Sequence, residues 1–398
     1  MSAVMSTYGR APIAFERGEG AWLVATDGRR YLDFAAGVAV DSLGHCHPHL
    51  VKALTEQARR IWHVSNLYEI PEQTRFAERL CAASFADAAF FCNSGAEAME
   101  GAIKVARRYQ AKNGAPQRWR AITLEGSFHG RTLATLAAAK NPKHLDGFGV
   151  PADGFDQVPA NNLNALRAAI SPETAMIIAE PVQGEGGVRP LPADYLKGLR
   201  TAADEFGLVL VFDEVQTGFG RTGPLFAYQT SGVAPDVMAL AKGIAGGFPC
   251  GAVLASGKVA AAMTPGSHGS TFGGNPLAMA AANATLDVLE ADDFLAEAEA
   301  AGASLRRGLE ALARRHPGIV IEVRGMGLML GMRVADPHTN GALGDCAREE
   351  GLLTVVAGDN VLRLVPPLIV RDAEISAALA MLDRACTALA GRGKGTHG

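Results

Sequence analysis

The sequence predicts an α/β fold: a mostly parallel sheet with helices on both faces, joined to a smaller α+β domain. Three observations carry this. Between about residues 85 and 260, short apolar runs alternate with helical patterns, the signature of strand–helix–strand units. The runs are nearly continuously apolar, which fits strands buried on both faces. After about residue 275 the pattern changes to a long alanine-rich stretch followed by further strand-like runs. The chain has 398 residues, more than one core ordinarily serves, so two domains are expected.

In chain order, "AWLVAT" (21–26) reads as a strand of the smaller domain. The strands of the larger domain are "AAFFC" (88–92), "AITL" (121–124), "AMIIA" (175–179), "LVLVF" (208–212), "VMALA" (237–241) and "AVLAS" (252–256). Between them, Ala98, Ala102, Val105, Ala106 and Tyr109 share one face of a helix over 96–110. A second helix, 192–207, begins at a proline and stops at a glycine. The stretch 276–316 reads as helical, and "GIVIEVRG", "GLMLGM" and "VLRLVPPL" as strands beyond it. The expected division is a large domain over 50–278 and a small one built from 1–49 with 279–398. The tail "GRGKGTHG" (391–398) is expected to fray.

Composition narrows the function classes. A net charge of −4 gives no reason to expect nucleic acid. No apolar run approaches the roughly 18 residues that span a bilayer, and the start lacks a secretory pattern. A cytoplasmic protein without a membrane partner is expected. The six cysteines are scattered without a C-x-x-C pair, so reduced thiols are expected.

In an open parallel sheet, ligands bind beyond the carboxyl ends of the strands, and the unusual residues lie there. After "AAFFC" comes Ser94-Gly95-Ala96-Glu97, a capping-box pattern whose free amides and positive dipole end favour an anion. A well-capped helix alone would also produce it. "LVLVF" ends in Asp213 and Glu214, and a buried carboxylate needs a cation or a strong donor. Strand alternation points these two to opposite faces. Lys242 follows "VMALA" in apolar, glycine-rich surroundings that disfavour its ammonium. A lysine so placed can form a Schiff base with a carbonyl, although one reaching from a strand end into water is the simpler reading. Together these supply an anion cradle, an acid and a reactive amine. Pyridoxal phosphate (PLP) needs those three groups for its phosphate, its ring nitrogen and its aldehyde.

Further motifs extend the pattern: "GHCHP" (44–48), "NSGAEA" (93–98), "FHGRT" (128–132), "EPVQGEGG" (180–187), "DEVQTGFGRTG" (213–223), "LAKG" (240–243), "GSTFGGNPLA" (269–278) and "LRLVPPL" (362–368). In these the chain resembles the class III, fold-type I, PLP-dependent aminotransferases over nearly its whole length. "HVSNLY" (63–68) and "FHGRTLATL" (128–136) resemble the branch that acts on acetylornithine.

The resemblance implies the site. Lys242 would hold the cofactor covalently and then shuttle the proton. Asp213 would pair with the ring nitrogen, and Gln216 would bond the ring's phenolic oxygen. Phe128 would stack on the ring. Ser94, Gly95 and Ala96 would hold the phosphate, and Glu214 and Val215 would complete the cofactor site. Ser270 and Thr271 would reach a neighbouring subunit's site, Thr271 on its phosphate, which implies a homodimer. Arg131 would bind the carboxylate of the amino donor and Arg363 that of 2-oxoglutarate, with Glu185 as a gate on Arg363. Tyr8 would touch substrate.

The implied reaction is transamination of N2-acetyl-L-ornithine with 2-oxoglutarate, giving N-acetyl-L-glutamate 5-semialdehyde and L-glutamate in arginine biosynthesis. Succinylornithine, succinyl-diaminopimelate, ornithine and 4-aminobutyrate are alternative donors. A mutase would not need the Arg363–Glu185 pair. A non-catalytic PLP carrier or a nucleotide-binding module belongs to a different class, and Lys242 with Asp213 argues against the carrier. His45, Cys46, His47 and His49 resemble a metal cluster, but Pro48 breaks the geometry and no metal is expected. "RGMGLMLGM" (324–332) lacks the strand–turn–helix context of a dinucleotide site.

Overall fold

Seven strands make the central sheet of the computed structural model, which describes residues 3–392. They are β1 (Ala88–Cys92), β2 (Arg120–Leu124), β3 (Phe155–Val158), β4 (Thr174–Ala179), β5 (Val209–Asp213), β6 (Val237–Leu240) and β7 (Gly251–Ala255). Their spatial order is β1-β7-β6-β5-β4-β2-β3. All pairings are parallel except those of β7, which runs antiparallel to both β6 and β1. Every residue of β4, β5 and β6 is buried, as their unbroken apolar runs require. β3 is absent from the strands that the sequence predicts. It is one of the two edge strands, and its central Asp156 and Gln157 are only half-buried.

Helix α1 (Gly95–Lys112) buries Ala98, Ala102, Val105 and Ala106 in the core beside β5, β6 and β7. Ser94 caps it through its hydroxyl, which accepts from Glu97 N–H at 3.2 Å, while the Glu97 carboxylate accepts from Asn93 N–H. Helix α2 (Ala193–Phe206) ends at Gly207 in the left-handed conformation.

The chain's two ends share a sheet. Strands at Phe15–Glu19, Trp22–Ala25 and Arg30–Asp33 form an antiparallel meander, and Leu352–Leu353 adds in parallel with Leu352 opposite Leu32. A second sheet joins Val320–Met326, Met329–Val334, Val361–Leu364 and Val355–Ala357. The alanine-rich stretch is two helices, Pro276–Leu289 and Phe294–Arg315, with Asp293 in a left-handed conformation before the second. Residues 393–398 of the tail expected to fray lie outside the described residues. Among those described, no helix is long and apolar enough to cross a membrane. All six cysteines are free.

The parallel strands deliver their carboxyl ends to one rim. β1 leads to Ser94, β2 to residues 125–132, β4 to 180–187, β5 to Asp213 and β6 to Lys242.

Candidate active site

A cavity of about 400 Å³ opens at this rim, lined by Ser94, Gly95, Ala96, Phe128, Arg131, Asp213, Val215 and Lys242, together with Asn93, His129 and Phe248. Lys242 opens the short 3₁₀ turn after β6 with φ of 49°, a left-handed conformation that a side-chain-bearing residue rarely keeps without surrounding constraint. Burial, aided by the Arg363 cation, brings its ammonium down to about 8.

Asp213 ends β5, buried and with both oxygens engaged. Oδ1 accepts from Val215 N–H at 3.0 Å, and Oδ2 meets His129 Nδ1 at 2.8 Å. Burial opposes protonation of His129, but the bond to Asp213 outweighs it, so the imidazole is held above its ordinary pKa. His129 Nε2 is buried with no partner. Sequence reasoning missed this residue, although it lies inside the quoted "FHGRT". Nothing in the local pattern signals a partner on a strand 84 positions away.

Glu214 requires a correction. The resemblance places it at the cofactor, but strand alternation turns it to the opposite face. There it accepts from Ala227 N–H at 2.6 Å and Tyr228 N–H at 2.8 Å, and burial raises its pKa to about 7. Gln216 is turned toward the gate: its Oε1 accepts from Arg363 Nη1 at 2.8 Å. A Cβ on Gly184 would stand 2.4 Å from that oxygen, so a larger residue there would push the Gln216 amide away from Arg363.

Arg363 is completely buried and meets Glu185 Oε1 at 2.7 Å, while its Nε and Nη2 have no partner. Burial pushes the Glu185 carboxyl up, but Arg363 more than offsets this and leaves its pKa below the ordinary value. Buried Glu180 ties neighbouring segments together, accepting from Phe128 N–H at 2.8 Å and Gly184 N–H at 3.1 Å. Arg131 stands 5.7 Å from the Phe128 ring centre and makes no ion pair among the described residues.

Three predicted residues lie elsewhere. Ser270 and Thr271 line a separate, larger cavity of about 780 Å³ with Asn66, Phe91 and His268. Ser270 Oγ accepts from Gly273 N–H at 2.9 Å. Tyr8 lies on the surface of an N-terminal segment without regular structure, its ring beside Arg10. The histidine run is split between separate contacts, His45 with Asp33 at 2.9 Å and His49 with Asp287 at 3.0 Å.

Three features of the cavity fit a phosphorylated pyridine aldehyde. The amides of Gly95 and Ala96 open α1 with no protein acceptor among the described residues, a ready anion site. Gly95 lets Val215 approach closely; a Cβ there would stand 2.7 Å from Val215 Cγ1. The amine of Lys242 and the His129-backed carboxylate of Asp213 share the same enclosure.

Comparison with known proteins agrees with this chemistry. A family model described as aminotransferase class-III matches residues 4–386. Acetylornithine aminotransferase of Mesorhizobium japonicum is 58% identical over 378 residues, covering 95% of this chain and 94% of the relative. The solved N-acetylornithine aminotransferase of Stenotrophomonas maltophilia superposes with a TM-score of 0.85 at 39% identity, over 97% of this chain and 99% of the other. An ornithine aminotransferase of Toxoplasma gondii, whose structure shows partial occupancy of PLP at the active site, gives a TM-score of 0.94 at 32% identity, over 98% and 94%.

Proposed function

This chain belongs to the class III aminotransferases, and on that premise we propose that it moves the terminal amine of N2-acetyl-L-ornithine to 2-oxoglutarate. The products are N-acetyl-L-glutamate 5-semialdehyde and L-glutamate, a step of arginine biosynthesis. The cofactor is pyridoxal 5'-phosphate. When bound, it draws electrons from the substrate carbon and stores the amine between the two half-reactions.

The chain's own residues divide the remaining work. Lys242 Nζ would hold the cofactor aldehyde and would carry the proton taken from the substrate carbon, for which a pKa near 8 suits it. Asp213, oriented by His129, would pair with the ring nitrogen. Gly95 and Ala96 would give their amides to the phosphate, and Phe128, held through its amide by Glu180, would contact the ring. Arg131, free of any ion pair among the described residues, takes the donor's carboxylate bidentately. Glu185 masks Arg363 while the donor reacts and yields to 2-oxoglutarate afterwards. A mutase would have no use for that second, gated arginine.

A cytoplasmic homodimer belongs to the same reading. Exposed Leu67 and Phe272 flank the cavity that holds Ser270 and Thr271, an apolar face suited to a second copy. Six free thiols suit a reducing compartment. The division into a large domain over 50–278 and a small one from both ends is supported by the pairing of Leu32 with Leu352.

The observation that carries the reading is the lowered amine of Lys242 in one enclosure with the His129–Asp213 pair. Steady-state kcat/KM for acetylornithine, succinylornithine, ornithine and 4-aminobutyrate tests it. Acetylornithine should lead; a lead for 4-aminobutyrate or ornithine would replace the donor assignment.

A further inference from the structure

We propose that His144 reads the acylamido group of the amino donor and thereby sets the preference for N-acylated over plain ω-amino acids. This rests on the donor reading above and names a residue that the reading does not use.

His144 lies in the short helix Pro142–Leu145, after Lys140 turns the chain in a left-handed conformation at the end of helix Leu133–Ala139. Its ring stands edge-on to Phe128, 6.0 Å between centres at 87°. Arg131 rests on that same ring at 5.7 Å. One aromatic side chain of the cavity wall thus carries a guanidinium and an imidazole. His144 Nδ1 is buried and has no partner. A buried polar atom without a partner calls for a cause, and a ligand is one.

The chemistry of the gap fits an amide. Burial and the Arg131 cation hold His144 below its ordinary pKa, against the pull of Glu185, which favours the neutral imidazole. A neutral imidazole has one donor and one acceptor nitrogen, and a secondary amide has one of each as well. In an N-acylated donor the amide nitrogen is bonded to the carbon that bears the carboxylate. Because Arg131 and His144 both rest on Phe128, a carboxylate seated on Arg131 would carry the acylamido group toward that ring and the proposed partner His144. A free α-ammonium at the same place would meet the Arg131 cation. A donor with no α-substituent leaves Nδ1 unsatisfied.

The test uses holoenzyme and two donors, N2-acetyl-L-ornithine and 5-aminopentanoate, which keeps the carboxylate and terminal amine but lacks the acylamido group. The quantity read is the ratio of their kcat/KM values. His144→Phe should lower that ratio about five- to tenfold, the worth of one hydrogen bond between neutral groups. His144→Asn, which returns a polar atom near the position of Nδ1, should recover part of it. A ratio within about twofold of wild type in the Phe variant overturns the role of His144. Cofactor absorbance reports folding; should His144→Phe lose it, the same ratio in His144→Ala decides between the same two outcomes. Wild-type protein that fails to turn over acetylornithine overturns the donor reading itself, whereas a wild-type preference that survives the substitution overturns only the role of His144.

Discussion

Arg363 Nη1 meets Glu185 Oε1 at 2.7 Å, yet the Nε and Nη2 of the same guanidinium are buried and unpaired. A buried cation this incompletely satisfied is held ready for a second anion. A dicarboxylate that displaces Glu185 can engage the unpaired nitrogens as well, which is a differential interaction large enough to move the gate.

Arg363→Ala should therefore raise the KM for 2-oxoglutarate about a hundredfold, the worth of roughly two charge-assisted hydrogen bonds. The KM for acetylornithine should change far less. Steady-state kinetics with each substrate varied separately checks this; equal losses for both would defeat the division of labour between Arg131 and Arg363.

Lys242→Ala should still bind PLP through the Gly95–Ala96 amides and Asp213, but lose turnover by about a thousandfold or more. Borohydride should fix the cofactor to wild-type protein at the peptide containing residue 242 and leave the variant unlabelled. Turnover near wild type in the variant would remove Lys242 from the mechanism.

The lowered pKa of Lys242 has a direct kinetic reading. Only the neutral amine attacks an aldehyde, and with a value of about 8 the neutral fraction is small at pH 7 and dominant at pH 9. Capture of PLP by apoenzyme, followed by absorbance after rapid mixing, should rise with pH through a midpoint near 8 and level off above about pH 9. Arg363 depresses the ammonium, so Arg363→Ala should move the midpoint upward. A downward shift would contradict the electrostatic account.

His129→Ala should leave Asp213 buried without its partner. Outer-shell partners of this kind are worth about ten- to a hundredfold in affinity or activity in metal sites, and a similar loss in kcat is expected here. The visible band of bound PLP should shift with it, since the ring nitrogen depends on Asp213. An unchanged spectrum and rate would make His129 a packing residue.

Gly95→Ala sets a Cβ at 2.7 Å from Val215 Cγ1. Overpacking of this type costs about 1–3 kcal/mol, and here it falls on the phosphate cradle. PLP affinity should drop, as read by equilibrium titration, and Val215→Ala in the same chain should restore part of it.

The strands were legible because β4, β5 and β6 are buried on both faces, and only strands covered on both sides hold such short, unbroken apolar runs between turn residues. β3 was not, because an edge strand with half-buried Asp156 and Gln157 reads like loop. The alanine-rich stretch looked like one helix, since helical periodicity does not reveal a single left-handed residue such as Asp293. In the site, Lys242, Asp213 and Gly95 stood out as unusual residues at strand ends. For Glu214 the alternation that separates it from Asp213 is the better guide than the resemblance, which places it at the cofactor. His129 and His144 were silent, because what distinguishes them is an orphaned ring nitrogen, a property of three-dimensional surroundings.

The parallel pairing of Leu32 with Leu352 carries a consequence for biogenesis. A ribosome adds about 5–20 residues per second, so the first strands wait on the order of tens of seconds before their partner emerges. Until then the Arg30–Asp33 edge has open amides and carbonyls, the kind of template that recruits stray strands. Contacts between distant parts of the chain also slow the search for the native state. During that interval the uncovered edge is the part of the newborn chain most open to misassociation.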